Sequence, residues 1–233
     1  AALIAAVCIV HLVPARDGPL RGARLSWTRA ARWSALVWAV VIALQIVLSL
    51  SDVIALPVSS VLDPTLIWSF ISDVELGRAL LVQLMLAVVV ALCSRWIRTT
   101  TGAGLLTLLA LGTMLPPTLV SHAGTSDQHT LAVSSLMLHV LSAGVWVGGL
   151  VALVLLGTSD RRPLPVAVPR FSRLALWAAV ALGLSGVASA AVRLASPADL
   201  LTTSYGRLVL LKVVLIGVLS AFGVWHRRRV LPA

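Results

Sequence analysis

The sequence carries little charge for its length and is particularly poor in acidic residues. Charged residues make up 11% of the 233 positions, and Asp and Glu together number 8, whereas about 25% of the residues of a typical soluble domain are charged. Apolar residues reach 59% and recur in long uncharged runs. Because a run of about 18 or more such residues is typical of a membrane span, this composition excludes an ordinary soluble domain.

Several chemistries are also missing. The two cysteines, Cys8 and Cys93, lie in apolar segments, which excludes the disulfide framework of a small secreted protein. The sequence has no phosphate-binding glycine loop, no HExxH, no CxxC and no serine in a nucleophile elbow, so we expect no enzymatic activity. The net charge of +10 comes from clusters between apolar runs, without interleaved aromatic residues. We therefore expect a lipid environment and no nucleic-acid partner.

The apolar runs predict an all-α, polytopic transmembrane bundle of about seven helices. Each complete run approaches the ~20 residues that cross a hydrocarbon core of about 30 Å, and helices satisfy their own backbone hydrogen bonds in lipid. The chain begins inside an apolar run, so we interpret the first helix as the remnant of a truncated or processed segment. The predicted helices are Ala1–Val13, Ala31–Ser51, Glu75–Arg95, Gly102–Val120, Thr130–Leu156, Leu174–Arg193 and Tyr205–His226.

The distribution of charge predicts the orientation of the bundle. Six of the 8 acids lie on the loops at one side. Most of the 18 basic residues occupy the alternate loops, which the positive-inside rule assigns to the cytoplasm of a multi-pass protein in the inner or plasma membrane. These basic residues are Arg16, Arg21, Arg24, Arg29, Arg32, Arg95, Arg98, Arg161, Arg162, Arg170, Arg173, Arg227, Arg228 and Arg229.

An internal repeat is visible within what we interpret as a single membrane domain over residues 1–233. Gly77-Arg78, followed by Gln83 and Trp96, matches Gly206-Arg207, followed by Lys212 and Trp225, at a constant offset of 129 positions. Arg32-Trp33-Ser34 also resembles Arg170-Phe171-Ser172. We therefore predict parallel repeat halves at about 1–100 and 130–233, an arrangement that in transporters often places the site between the halves.

The candidate metal ligands cluster around one hairpin on the acidic side. With ~1.5 Å of rise per residue, His139 lies about 13 Å along the fifth predicted helix, and Met114 lies at about 10 Å on the fourth. Imidazole with thioether is a ligand set that suits Cu(I). Pro116 and Pro117 remove helical hydrogen bonds and would free nearby carbonyls. The candidate metal ligands, whose donor types permit copper, are His122, Asp127, His129, His139, Met137 and Met114.

Each of these residues also has a simpler interpretation. Methionine in a membrane helix commonly fills space, and His122 and His129 are ordinary loop residues if water surrounds them. An ionisable residue inside a span, such as His139, is by default a functional hypothesis. The alternative is that His139 only hydrogen-bonds to a carbonyl of a neighbouring helix.

Other residues border the same region. Trp146 lies seven positions after His139 and therefore on the same helix face, where it would form a wall of the site. Gly144 and Gly148 form a small-xxx-small step that favours close helix packing. The seventh predicted helix begins with Tyr205 and Arg207 and carries Lys212, which either extends towards the interface or acts as a gate.

Taken together, these motifs resemble the copper resistance protein D (CopD) family. The resemblance rests on His122, on His139 with Trp146-Val147-Gly148-Gly149, on Arg170-Phe171-Ser172, and on Thr202-Thr203-Ser204-Tyr205-Gly206-Arg207 with Lys212. It covers about the last 120 residues well and the first half more loosely. The resemblance implies an integral membrane protein of copper uptake or tolerance, in some bacteria joined to a CtaG-like domain of cytochrome oxidase assembly.

Three functions follow as hypotheses. The first is copper transport or delivery, in which a periplasmic copper chaperone or an oxidase assembly protein would be the partner. The second is a membrane redox protein that handles haem or quinone, which would need a second axial ligand facing His139. The third is a non-transporting partner in an oxidase assembly complex, in which the histidines would be dispensable.

Overall fold

The protein is a bundle of α-helices. The computed structural model describes residues 23–97, 99–120, 129–159, 164–194 and 196–230, and no β-strand occurs within these ranges. The first predicted helix, Ala1–Val13, lies outside them. The helices are α1 (Ala23–Ile54), α2 (Pro64–Asp73), α3 (Glu75–Cys93), α4 (Thr100–Gly112), α5 (Pro116–Val120), α6 (His129–Ser159), α7 (Leu164–Arg193), α8 (Asp199–Thr202) and α9 (Ser204–Val230), with a 3₁₀ turn at Val58–Ser60.

The prediction of a polytopic all-α fold is confirmed. Within the described ranges, five segments are long and apolar enough to cross a membrane: Ala31–Ile54, Glu75–Cys93, Thr101–Val120, Thr130–Thr158 and Leu164–Val192. Helix α9 coincides with the seventh predicted helix. We call the end of the bundle that carries Asp63, Glu75 and Asp199 the acidic end and the opposite end the basic end.

Three predicted boundaries are wrong. Helix α1 begins at Ala23 rather than Ala31, and α7 begins at Leu164 rather than Leu174, so that Arg170-Phe171-Ser172 lies inside a helix. Pro165 is tolerated because the first-turn N–H groups of a helix have no intrahelical acceptor. The fourth predicted helix is two helices, because Pro116 and Pro117 cannot donate to the preceding turn and α4 ends at Gly112.

The short helices α2 and α8 were not predicted. Helix α2 begins where the Asp63 carboxylate accepts hydrogen bonds from the Thr65 N–H at 2.8 Å and the Thr65 hydroxyl at 2.7 Å. Pro64 occupies the first helical position. An aspartate N-cap followed by proline is a recognised start signal, so the sequence did contain the information for α2.

Two layers of packing hold the described helices together. Helix α1 lies along α3 with a buried stripe at Ala31, Ala35, Ala39, Ile42 and Ile46, whose spacing of three and four keeps one face toward the neighbour. Helices α6 and α7 form an antiparallel pair and pack together more extensively than any other two helices. The α6–α7 pair therefore carries the candidate site.

The two glycines of the predicted repeat share one local geometry. A Cβ atom at Gly77 would overlap the Phe70 carbonyl, and one at Gly206 would overlap the Asp199 carbonyl; Phe70 and Asp199 are themselves 129 positions apart. In both places a short helix turns directly into a long one, and the absent side chain lets the two backbones touch. This correspondence supports the repeat, which stays a prediction for the chain as a whole.

Candidate functional site

The structure describes part of the predicted copper site. Met114, Met137, His139 and Trp146 lie within the described residues. His129 is the first residue of α6, but its side chain, together with His122 and Asp127, lies outside what the structure describes. The geometry of the acidic-end loop as a copper entrance therefore stays a prediction.

His139 is half-buried in the interface between α6 and α7. Its Nδ1 atom lies 3.1 Å from the Ser185 hydroxyl, and Ser185 is 2% exposed. The Ser185 hydroxyl donates to the Leu182 carbonyl at 3.0 Å. This carbonyl of the neighbouring helix also interacts with the imidazole, which is the contact that the structural alternative for His139 requires. The Ser185 hydroxyl carries one proton, and when this proton is donated to Leu182 the serine oxygen accepts from Nδ1–H. In that arrangement the lone pair of a neutral ring is on Nε2.

A line of polar side chains follows this interface through the membrane-spanning segments. On α6, positions 135, 139 and 142 share one helix face. The Ser135 and Ser189 hydroxyls are 3.1 Å apart, and Ser142 is buried. We call this set the serine–histidine seam: Ser135, His139 and Ser142 of α6 with Ser185 and Ser189 of α7.

Sequence reasoning missed Ser185 and Ser189. They are the only polar residues between Leu174 and Ala191, and they lie four positions apart, so they face the same way on a helix. That spacing was the available signal. It could not reveal that α7 packs its serine face against His139, because which helix faces meet is decided by the tertiary structure.

The two candidate methionines occupy different environments. Met137 lies two residues before His139 on a continuous helix, and residues two apart do not face each other. Met114 is partly buried at the break between α4 and α5, and it packs on the same apolar cluster as Trp146. Trp146 shares the helix face of His139. Of the two methionines, we therefore take Met114 as the candidate partner of the imidazole, because it shares an apolar cluster with Trp146.

The glycines after Trp146 allow α7 to approach α6 closely. A Cβ atom at Gly149 would overlap the ring of Phe171, and Gly144 and Gly148 are buried. Two motifs that carry the family resemblance, Trp146-Val147-Gly148-Gly149 and Arg170-Phe171-Ser172, are thus joined by a packing contact. Their role in this contact is to set the distance between the two helices of the seam.

The remaining candidates lie on the first turns of α9. Tyr205 is half-buried and Arg207 is exposed, with the Arg207 Nε donating to the Thr203 carbonyl at 3.5 Å. Lys212 is exposed, and its ammonium group interacts electrostatically with the His139 ring. A positive charge at this position opposes any other cation that approaches the imidazole.

No group of three or more His, Cys, Asp or Glu side chains within reach of one ion is present in the described ranges. His139 would therefore need a partner such as Met114, or ligands from the acidic-end loop, to hold a metal ion.

Comparisons with known proteins relate both halves of the chain to copper resistance protein D. Residues 1–130 match the family model described as copper resistance protein D-like, N-terminal domain. Residues 165–233 match the model of copper resistance protein D. The copper transport protein CutJ of Bacillus subtilis (strain 168) is 32% identical over 120 residues, which is 49% of this chain and 22% of that relative. No solved structure matches the chain.

Proposed function

Because the chain belongs to the copper resistance protein D family, we propose that it transports copper ions through the membrane in which its helices lie. The aligned stretch covers about a fifth of the length of CutJ, whose name describes copper transport. The cargo we propose is Cu(I), because imidazole and thioether groups are the soft and borderline donors that favour this ion.

The observation that carries the proposal is the hydrogen bonding of His139. Metal-binding histidines commonly donate their second ring N–H to a fixed acceptor, which orients the ring and makes the ligating nitrogen more basic. We assign the Nδ1–H of His139 as the donor to the Ser185 hydroxyl, 3.1 Å away, so that Nε2 keeps a lone pair inside a membrane-spanning segment. Nε2 of His139 is therefore the central ligand of the proposed pathway, and Ser185 is its positioning residue.

The pathway begins at the acidic end. His122, Asp127 and His129 capture copper there and pass it to His139, with Met114 supplying the thioether from the adjacent hairpin. Met137 is left out of this set because of its different helix face.

Four further residues surround the proposed pathway. Trp146 and Tyr205 border it, and Arg207 lies at its entrance. The Lys212 ammonium repels the ion until that side chain moves. The Arg-rich loops face the cytoplasm, so a periplasmic copper chaperone or an oxidase assembly protein would meet the acidic end.

Cu(I) uptake into vesicles that contain the purified full-length protein tests the proposal, with a Cu(I)-sensitive fluorophore enclosed in the lumen. The informative variant is His139→Gln, because a glutamine amide can still donate to Ser185 but offers no imidazole nitrogen. We expect loss of protein-dependent uptake in His139→Gln. We expect Ser185→Ala to weaken copper binding by about 10- to 100-fold, the usual effect of removing the hydrogen-bond partner of a ligand.

Gly183→Ala serves as the matched control on α7, because a Cβ atom there meets nothing within 4 Å. Uptake by Gly183→Ala should equal that of the wild type, and all variants should elute as the same species on size-exclusion chromatography. Wild-type rates in a folded His139→Gln variant would refute the assignment and leave His139 as a purely structural residue of the seam.

A further inference from the structure

We infer that a second intramembrane site, for a monovalent alkali cation, lies between α3 and the break that separates α4 from α5. The first observation is Gln83, near the middle of α3. Its side chain is 8% exposed, and its Oε1 atom is buried without a hydrogen-bond partner among the described residues. A buried amide oxygen left unpaired carries the full cost of its lost hydration, so a ligand at this atom would stabilise the protein.

The second observation is the backbone at the break. Pro116 has no N–H to donate to the Gly112 carbonyl, which accepts from the Leu115 N–H at 3.1 Å instead. Pro117 likewise has no N–H for the carbonyl of Thr113, which lies in the turn after α4 and is fully buried. The Thr113 carbonyl, inside a segment long enough to span the membrane, therefore accepts no backbone hydrogen bond from the described residues.

The register of the helices brings these oxygens to the same level. Val90 is buried in one apolar cluster with Ala103, Leu106 and Ala110 of α4. Gln83 lies seven residues from Val90 on the same face of α3, about 10 Å nearer the acidic end. Residues 110–117, which contain the break, lie the same distance beyond 103–110 on the antiparallel segment. Helix α3 packs directly against α5 as well as α4, and we therefore place Gln83 opposite the break.

The donors at this level determine the class of ligand. They are uncharged amide and carbonyl oxygens, which suit a hard cation rather than Cu(I). The carboxyl end of α4 points its negative dipole end at the break and favours positive charge there. Broken membrane helices bind sodium ions in this way in other transporters, through unwound carbonyls and half-helix ends. A divalent ion would need carboxylates to offset its charge, and the residues named above supply none.

Thermal unfolding of the purified full-length protein tests this site without any copper. The melting temperature is measured in sodium, potassium and choline chloride at equal ionic strength, for the wild type and for Gln83→Leu and Gln83→Glu. The matched control is Gln45→Leu, because Gln45 is an exposed glutamine on α1.

We expect sodium or potassium to raise the melting temperature of the wild type and of Gln45→Leu above the value in choline, because a ligand that binds only the folded state stabilises it. Gln83→Leu should lose this difference, and Gln83→Glu should enlarge it by adding a negative charge. Equal melting temperatures in all three salts, or a difference that persists in Gln83→Leu, would overturn the inference. The result is independent of copper uptake, so this site and the proposed function can fail separately.

Discussion

The contact between Gly149 and Phe171 gives the sharpest stability prediction. In Gly149→Ala, the new methyl group would overlap three atoms of the Phe171 ring, so either the ring must swing away or α6 and α7 must separate. Overpacking of this kind typically costs about 1–3 kcal/mol, which outweighs the roughly 0.5–1 kcal/mol that alanine gains over glycine inside a helix. We therefore expect a net loss of stability. The seam should also loosen, because its two hydrogen bonds between α6 and α7 depend on the same helix separation.

The assay is thermal unfolding in detergent, with Gly183→Ala as the control. A Cβ atom at Gly183 has open space around it, so this variant should be as stable as the wild type or slightly more stable. Phe171→Leu should partly rescue Gly149→Ala, with a coupling energy of about 0.5–3 kcal/mol for two residues in contact. If the Gly149 and Gly183 variants melt alike, or if the double variant shows no coupling, the proposed close packing of α6 on α7 is refuted.

Three further predictions concern other parts of the chain. Gly77→Ala and Gly206→Ala should each destabilise the protein by about 1–3 kcal/mol, because the new Cβ atom would overlap a main-chain carbonyl, which cannot move aside as a flexible side chain can. Thermal unfolding measures this loss, and a large effect at only one of the two positions would argue against equivalent repeats. The Thr65 hydroxyl and N–H hold the pKa of Asp63 below its ordinary value, so the stabilisation of α2 is complete above about pH 3.9 and is lost as the pH falls through the lowered pKa. Asp63→Asn should therefore lose less stability than the wild type on acidification, and equal losses would contradict this assignment. Lys212→Gln removes a positive charge that acts electrostatically on His139 and should tighten Cu(I) binding several-fold at low salt, with less effect at high salt. A titration with a competing Cu(I) chelator would show unchanged affinity if the lysine has no part in the site.

Element type was predictable because it depends on local composition. Long uncharged runs require helices in lipid, and the third, fifth and seventh predicted helices coincide with observed ones. The break at Pro116 was visible from proline chemistry, although the sequence reading kept the segment as one helix. Helix α2 was missed even though its Asp63-Pro64 start signal was present. The early start of α7 was not predicted; Pro165 costs little in its first turn, whereas Pro169 lies further inside the helix.

The candidate site was less predictable. His139 stood out because an ionisable residue in a span is rare. Its partner, Ser185, could not be chosen from the sequence, because many serines in membrane helices bond only to their own backbone. Gln83 gave no signal beyond its place in the repeat, since burial without a partner is a property of the packed structure.

The sequence by itself determined that the chain forms apolar helices, where they approximately begin and end, and that one imidazole lies within a span, since these follow from hydropathy and backbone hydrogen bonding along one segment. The tertiary structure decided which faces meet: His139 against Ser185, Gly149 against Phe171, and Gln83 at the level of the broken helix. Such pairings depend on the shapes of two surfaces distant in sequence, where one missing Cβ atom determines how closely the helices approach. For this reason a glycine after Trp146, rather than any metal ligand, sets the separation of the helices that hold the proposed copper pathway.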